Sequence, residues 1–255
     1  EHGLGKWRRW YHRLLMRFIS LFADKIICSC QLNSQLRHQT EHIAWSRLQT
    51  IYNGFVSREE TSVDRIHKQS STEFIIGFIG RFHEVKRVDT FLDLASKLYR
   101  RIPSVKFIMV GDGPELEGFK KNIKQKGLDN YFELPGFQSQ TSGYYQKFDL
   151  FVLPSRIEGF SISLLEAGSY GVPALAYDVG GNSEIVENGI TGYIIPDGDV
   201  SAMTDAIYFL YQHPEKLTEL GNNAKKKIFA RFTLERRMDE LELLYQNLLG
   251  KSLVD

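Results

Sequence analysis

Leu150-Phe151-Val152-Leu153-Pro154-Ser155-Arg156-Ile157-Glu158-Gly159-Phe160-Ser161-Ile162-Ser163-Leu164-Leu165-Glu166-Ala167 holds a strand, a glycine-bearing loop and the start of a helix in eighteen residues. The apolar run 150–153 reads as a buried strand, and helical apolar spacing takes over from about residue 161. The same unit recurs on both sides of this stretch. Candidate strands are Phe74–Ile79, Val105–Val110, Tyr131–Leu134, Leu150–Leu153, Ala174–Tyr177 and Tyr193–Ile195. Helices are expected between them, near 88–101, 114–126, 141–147, 161–171, 183–187 and 199–212, with a last one from Thr233 to Leu249. Strands separated by helices imply parallel pairing and right-handed crossovers, hence a doubly wound α/β sheet.

In such a sheet ligands bind outside the carboxyl ends of the strands. Five consecutive strand ends carry glycine: Gly80-Arg81, Gly111-Asp112-Gly113-Pro114, Pro135-Gly136-Phe137, the loop 154–160, and Gly180-Gly181-Asn182. Glycine lets a backbone approach a ligand closely or turn at positive φ. Tight turns alone account for one or two of these more readily than for five on one edge.

The N-terminal part is organised differently. Residues 6–22 read as an amphipathic helix, with Trp7, Trp10, Leu14, Phe18 and Phe22 on one face and Lys6, Arg8, Arg9, Arg13 and Arg17 on the other. A short strand near 25–29, a helix from about Asn33 to His42 and a strand Leu48–Tyr52 follow, and then a polar stretch from Ser57 to Thr72. The expected division is 1–52 as the end of one domain, 53–72 as linker, 73–232 as the ligand-binding domain and 233–255 as a closing helix. Residue 1 is Glu and the first methionine is Met16, so the expectation is a fragment.

Composition narrows the class. Of 255 residues, 42% are apolar and 25% charged, which supports a core without staples and excludes disorder over most of the chain. A net charge of +1 excludes a strongly basic nucleic-acid binder, so no nucleic-acid partner is expected. Cys28 and Cys30, the only cysteines, are read as reduced, buried strand thiols. No apolar run reaches the roughly 18 residues of a membrane span, and no signal peptide opens the chain; both point to the cytoplasm.

Three segments go beyond generic fold reading. They are Gly80-Arg81-Phe82-His83-Glu84-Val85-Lys86, the run Glu158 to Ala167 with its two glutamates separated by seven residues, and Gly180-Gly181-Asn182-Ser183-Glu184 followed by Asn188-Gly189-Ile190-Thr191-Gly192-Tyr193. In this order they resemble the family 4 (group 1) retaining glycosyltransferases of the GT-B fold, over roughly residues 50–212 and loosely beyond. The resemblance implies a Rossmann-like C-terminal domain that binds a UDP- or GDP-linked sugar, transferred to a glycan or lipid-linked acceptor without a metal or other cofactor. It implies that Arg81 and Lys86 bind the diphosphate, Glu158 the hydroxyls of the donor sugar and Glu166 the ribose. It places the backbone near Phe137 around the base and main-chain N–H groups of Phe160 and Ser161 on sugar or phosphate. Gly80, Gly136, Ser155, Gly159, Leu165, Gly180 and Gly181 complete the donor-binding set. Glu1-His2-Gly3 resembles a histidine-bearing strand end that faces the donor sugar in family members, and most of the acceptor half is expected upstream.

The chemistry agrees with this. A departing nucleoside diphosphate gains negative charge, and fixed cations and a helix N-terminus stabilise it. A carboxylate accepts two hydrogen bonds from a vicinal diol. The sequence departs from the family pattern at Arg87 and Gly168, neither a proposed ligand contact.

Competing readings remain at the sequence level. Arg81 and Lys86 could be a solvated face, Glu158 an exposed loop carboxylate and Gly180-Gly181 only a turn. Ser163-Leu164-Leu165-Glu166 fits a capping box. Glu184 either orders its loop or caps a helix. Asp197-Gly198-Asp199 matches a metal-binding D-x-D, although Asp199 stands where a helix N-cap is expected. His38-Gln39-Thr40-Glu41-His42 matches the H-x-x-E-H of zinc peptidases, a different class of enzyme resting on His38, Glu41 and His42. A nucleotide-binding module without catalysis is the third class. The basic aromatic helix at 6–22 either packs on an upstream sheet or lies on the inner membrane face near a lipid-linked acceptor.

Overall fold

The computed structural model describes residues 10–56 and 73–250. The expectations for His2, for residues 6–9 of the first helix and for 57–72 as a linker lie outside them. Helix α1 (Trp10–Ser20) leads into β1 (Ile26–Cys28), α2 (Gln31–Glu41) and β2 (Leu48–Thr50), and the two strands pair parallel with Ile26 opposite Leu48. Along α1 and the turn after it Trp10, Leu14, Phe18 and Phe22 are exposed. No helix among the described residues is long and apolar enough to cross a membrane.

From Phe74 the strand–helix alternation is realised. The elements are β3 (Phe74–Ile79), α3 (Thr90–Leu98), β4 (Val105–Val110), α4 (Leu116–Gln125), β5 (Phe132–Gly136), α5 (Ser142–Tyr145), β6 (Leu150–Leu153), α6 (Ile162–Ser169), β7 (Ala174–Tyr177), α7 (Asn182–Ile185), β8 (Gly192–Ile195) and α8 (Val200–Gln212). The strands form one parallel sheet in the order β5-β4-β3-β6-β7-β8. Strands β6 and β7 are buried at every residue, and β3 at all but its last, which is why they appear in sequence as apolar runs rather than alternations. Their faces pack against a core rich in whole aromatic rings, Phe78, Phe91, Phe107, Phe151 and Tyr177 among them. Each contributes roughly 1.5–3 kcal/mol by leaving water.

Two further helices close the chain, α9 (Pro214–Arg231) and α10 (Leu234–Leu249). The sequence reading left 213–232 unassigned, yet α9 is eighteen residues long. Pro214 sits in its first turn, where the missing N–H costs nothing. Leu217, Leu220, Gly221, Ala224 and Ile228 form its buried stripe. It lies tight on α6: a Cβ on Gly168 would come within 2.7 Å of Ile228 Cγ1, and one on Gly221 within 2.1 Å of the Gly171 carbonyl. Gly168, a departure from the family pattern, is therefore the room that α9 needs.

The sheet domain is joined to the N-terminal part by backbone. Phe55 N–H donates to the Phe232 carbonyl at 3.0 Å, Leu234 N–H donates to the Phe55 carbonyl at 3.0 Å, and Arg237 bonds the Asn53 side chain. Cys28 and Cys30 are both buried free thiols, but only Cys28 lies in the strand, at the end of β1, while Cys30 is the N-cap of α2.

Candidate active site

The strand order reverses between β3 and β6, so the crevice at their carboxyl ends is the switch point where such sheets bind ligands. Gly80 and Arg81 leave β3 on one side of it, and Pro154 to Phe160 leave β6 on the other. A cleft of about 610 Å³ lies there, lined by Gly80, Arg81, His83, Lys86, Glu158, Phe160, Ser161 and Glu166 among others. A neighbouring cleft of about 830 Å³ shares Gly80 and Arg81 and extends past Asp112 to Phe137, Gln138 and Thr141. Residues 80 places apart in sequence thus meet in one site.

The charges are arranged unequally. Arg81 is exposed and makes no ion pair among the described residues. Lys86 ends a 3₁₀ turn over Glu84–Lys86, whose N-cap His83 accepts from the Val85 N–H. Its Nζ meets Glu158 Oε1 at 2.5 Å. Glu158 is only 8% exposed, so it is not a solvated loop carboxylate. The proposed phosphate cation and the proposed sugar acceptor are therefore partners of each other. Arg87 adopts φ 46° and pairs with Asp197 Oδ1 at 2.5 Å. This accounts for the second departure and occupies half of the D-x-D match. Asp199 caps α8, accepting from the Ala202 N–H at 2.9 Å.

Helix α6 opens onto the cleft. Its N-cap is Ser161, which gives the helix no side-chain cap. Neither the Phe160 nor the Ser161 N–H makes a hydrogen bond among the described residues. Because the helix begins at Ile162, Ser163 lies inside it and Glu166 is past the capping-box position. The capping-box reading is thus overturned. Glu166 instead lines the cleft, accepts from the Tyr145 hydroxyl at 2.7 Å, and has its carboxyl pushed up by burial against that bond. Sequence reasoning missed Tyr145: its partner lies 21 residues on, and only the adjacent Tyr144-Tyr145 pair marked the place.

Other members of the predicted set stand behind the cleft rather than in it. Leu165 is fully buried in the core and its N–H is bonded to the Ser161 carbonyl, so its side chain is not a donor contact. Ser155 is fully buried, with no partner for its Oγ. Gly180, at φ 56°, packs so closely that a Cβ would lie 2.0 Å from the Glu158 carbonyl. Gly181 N–H donates to the Gly159 carbonyl at 2.8 Å. These glycines let loop backbone approach loop backbone and hold Glu158 in place, beyond the simple turn. Gly136, at φ 75°, ends β5 and turns the chain to Phe137, a residue 74% exposed beside the larger cleft.

Glu184 does cap a helix, but a distant one. It accepts from the N–H groups of Gln31 (2.9 Å) and Leu32 (3.0 Å) at the start of α2, and from the Tyr52 hydroxyl (2.9 Å). The zinc-peptidase match comes apart: His38 Nδ1 is engaged with the Ile43 carbonyl at 2.9 Å and its ring is stacked on Trp45, Glu41 is paired with Arg37, and His42 is the left-handed C-cap of α2. The described residues contain no cluster of three metal-ligating side chains.

A parallel sheet of this order, with cations, two carboxylates and an open helix N-terminus gathered at its switch point, is the Rossmann-like C-terminal domain of a GT-B protein. The chain belongs to the family "Glycosyl transferases group 1", whose profile matches residues 59–227. It is similar to N-acetyl-alpha-D-glucosaminyl L-malate synthase of Bacillus anthracis, 28% identical over 79% of this chain and 54% of that protein. It is also similar to the UDP-Gal:alpha-D-GlcNAc-diphosphoundecaprenol alpha-1,3-galactosyltransferase of Escherichia coli, 25% identical over 91% of this chain and 64% of that one. Among solved structures, HepE of Anabaena in complex with UDP shares the fold, with a TM-score of 0.82 at 22% identity, covering 96% of this chain and 70% of that one. The chain thus spans only part of the length of its relatives, 54% and 64% of the two named.

Proposed function

We propose that the chain is the donor half of a retaining glycosyltransferase, moving a sugar from a nucleoside diphosphate, UDP by preference over GDP, to a glycan or lipid-linked acceptor. The observation that carries the reading is the meeting of Arg81, Lys86 and the uncapped start of α6 on one cleft with Glu158 and Glu166. As the glycosidic bond breaks, the diphosphate gains charge. Arg81 offers a planar fork to its oxygens and Lys86 a point charge, while the Phe160 and Ser161 N–H groups lie at the positive end of the helix. Glu158, bonded to Lys86, accepts from donor-sugar hydroxyls, and Glu166 from the ribose diol. Phe137 and the larger cleft lodge the base. The UDP in HepE and the UDP-linked donor and lipid diphosphate in the name of the E. coli relative support the choice of donor and acceptor. Retention rests on the family resemblance.

Two cations and a helix N-terminus supply the charge complement themselves, so this reading includes no divalent metal. Calorimetric titration of UDP and GDP in excess chelator tests it. The expected result is UDP binding unchanged by chelation; binding lost on chelation overturns the metal-free reading. With upstream sequence included, product linkage read by NMR should show retained anomeric configuration, and an inverted product overturns the mechanism. Nucleotide binding without any transfer would favour the non-catalytic module.

A further inference from the structure

We propose that Tyr145 is a positioning residue for donor binding: its hydroxyl holds Glu166 Oε2 and so presents Oε1 to the vicinal hydroxyls of the nucleoside. The inference rests on the reading of the cleft as a nucleoside diphosphate site. Tyr145 is the last residue of α5 and is fully buried. Its ring is stacked on Tyr170, with centroids 5.5 Å apart and planes 10° from parallel, and packs edge-on against Phe148 at 5.7 Å. That clamp leaves the phenol one direction in which to point. It donates to Glu166 Oε2 at 2.7 Å, against 3.4 Å to the nearest alternative, the Ser163 carbonyl. Glu166 Oε1 makes no hydrogen bond among the described residues, while the residue lines the cleft.

A phenylalanine would fill the same ring volume, so the hydroxyl's own contribution is the bond to the carboxylate. That bond matters because a carboxylate must be ionised to accept from a diol with one oxygen and a phenol with the other. Burial pushes the Glu166 carboxyl up and the Tyr145 bond pulls it down. The phenol keeps its proton, since burial and the adjacent carboxylate push it well above its ordinary range. Glu166 shares the cleft with Arg81, His83, Lys86 and Glu158, and lines a second, smaller cleft with Tyr145 and Tyr170. Loss of the hydroxyl therefore raises the pH at which Glu166 takes up a proton and stops serving the diol.

The test is UDP affinity by calorimetry between pH 6 and 8 for wild type, Tyr145→Phe, Glu166→Gln and the double variant, with melting temperatures alongside. Titration of UDP itself is common to all four and cancels in ratios to wild type. Tyr145→Phe is expected to weaken UDP about tenfold at the acid end of this range and by less at the alkaline end, the larger loss matching a hydrogen bond to a charged group. The double variant should bind no more weakly than Glu166→Gln alone. A Tyr145→Phe loss that is the same at every pH, or that adds to that of Glu166→Gln, overturns the inference and leaves Tyr145 a packing residue. If Glu166→Gln itself leaves UDP affinity untouched, the ribose reading fails first, and that outcome is distinct. Should Tyr145→Phe not fold, 3-fluorotyrosine at 145, a stronger O–H donor of nearly the same volume, is expected to tighten UDP at pH 6; unchanged affinity there overturns the inference.

Discussion

Lys86 and Arg81 look interchangeable in the sequence, and the structure separates them. Arg81 is exposed at the cleft without an ion pair among the described residues, whereas Lys86 neutralises the buried Glu158. Arg81→Ala should therefore weaken UDP about 10- to 100-fold with an unchanged melting temperature. Lys86→Met should weaken UDP similarly and also lose about 2–3 kcal/mol of stability, because it strands a buried carboxylate. Equal melting temperatures for the two variants would mean that the ion pair is only a surface contact. Cys30 offers a second check at this scale. Burial pushes its thiol up to about 11, and its Sγ bonds the Gly159 carbonyl. About one thiol in a thousand is then ionised at pH 8. Iodoacetamide is expected to spare Cys30 in the native chain and to modify it in denaturant; rapid native labelling would contradict the packing of α2 on the 158–160 loop.

Elements were legible where a single stretch of chain carries its own signal. Strands β3, β6 and β7 are apolar on both faces and bounded by Gly80, Pro154 and Asp178, so their ends could be read to the residue. Helix α9 was not, because its buried stripe is narrow, interrupted by Gly221 and set among Glu215, Lys216, Glu219 and Lys225 to Lys227. What specifies it is the shape of α6, where Gly168 leaves a seat for Ile228. The candidate site divides the same way. Arg81, Lys86, Glu158 and Glu166 could be named because the family resemblance rests on the segments that hold them, whereas Leu165, named in the same way, faces the core. Tyr145 could not be named, since its role exists only once α5 lies beside α6. The α6–α9 seat makes a prediction. Gly221→Ala would place a Cβ 2.1 Å from the Gly171 carbonyl, a backbone atom that cannot swing aside. The expected loss is about 2–3 kcal/mol, or roughly 4–12 °C of melting temperature by circular dichroism. An unchanged melting temperature would mean that α9 does not meet the turn after α6 at this glycine pair.

At the scale of the whole molecule, the donor loops are also the seam with the N-terminal part. Gly180 and Gly181 brace the loop of Glu158, and Glu184, three residues on, caps α2 and accepts from Tyr52. The Tyr52 ring in turn packs on Phe160 at 5.2 Å and on Phe232 at 5.3 Å, and Phe55 pairs through its backbone with Phe232 and Leu234. One carboxylate thus ties Tyr52, just past β2, and the start of α2 to the loop that carries the site. Two backbone N–H groups and a phenol lose their acceptor if it is removed, and a partly buried donor left without one is costly. Glu184→Ala is therefore expected to raise amide hydrogen exchange across 26–52 by about tenfold or more, while protection in β3, β4 and β6 stays at wild-type level. Glu184→Gln, which keeps one acceptor oxygen, should fall between the two. UDP affinity should follow the same order, weakest for the alanine variant, because the 158–160 loop loses part of its backing. Uniform loss of protection over the whole sheet would instead make Glu184 a determinant of global stability, and unchanged exchange at 26–52 would place the hold on the N-terminal part in the aromatic cluster alone.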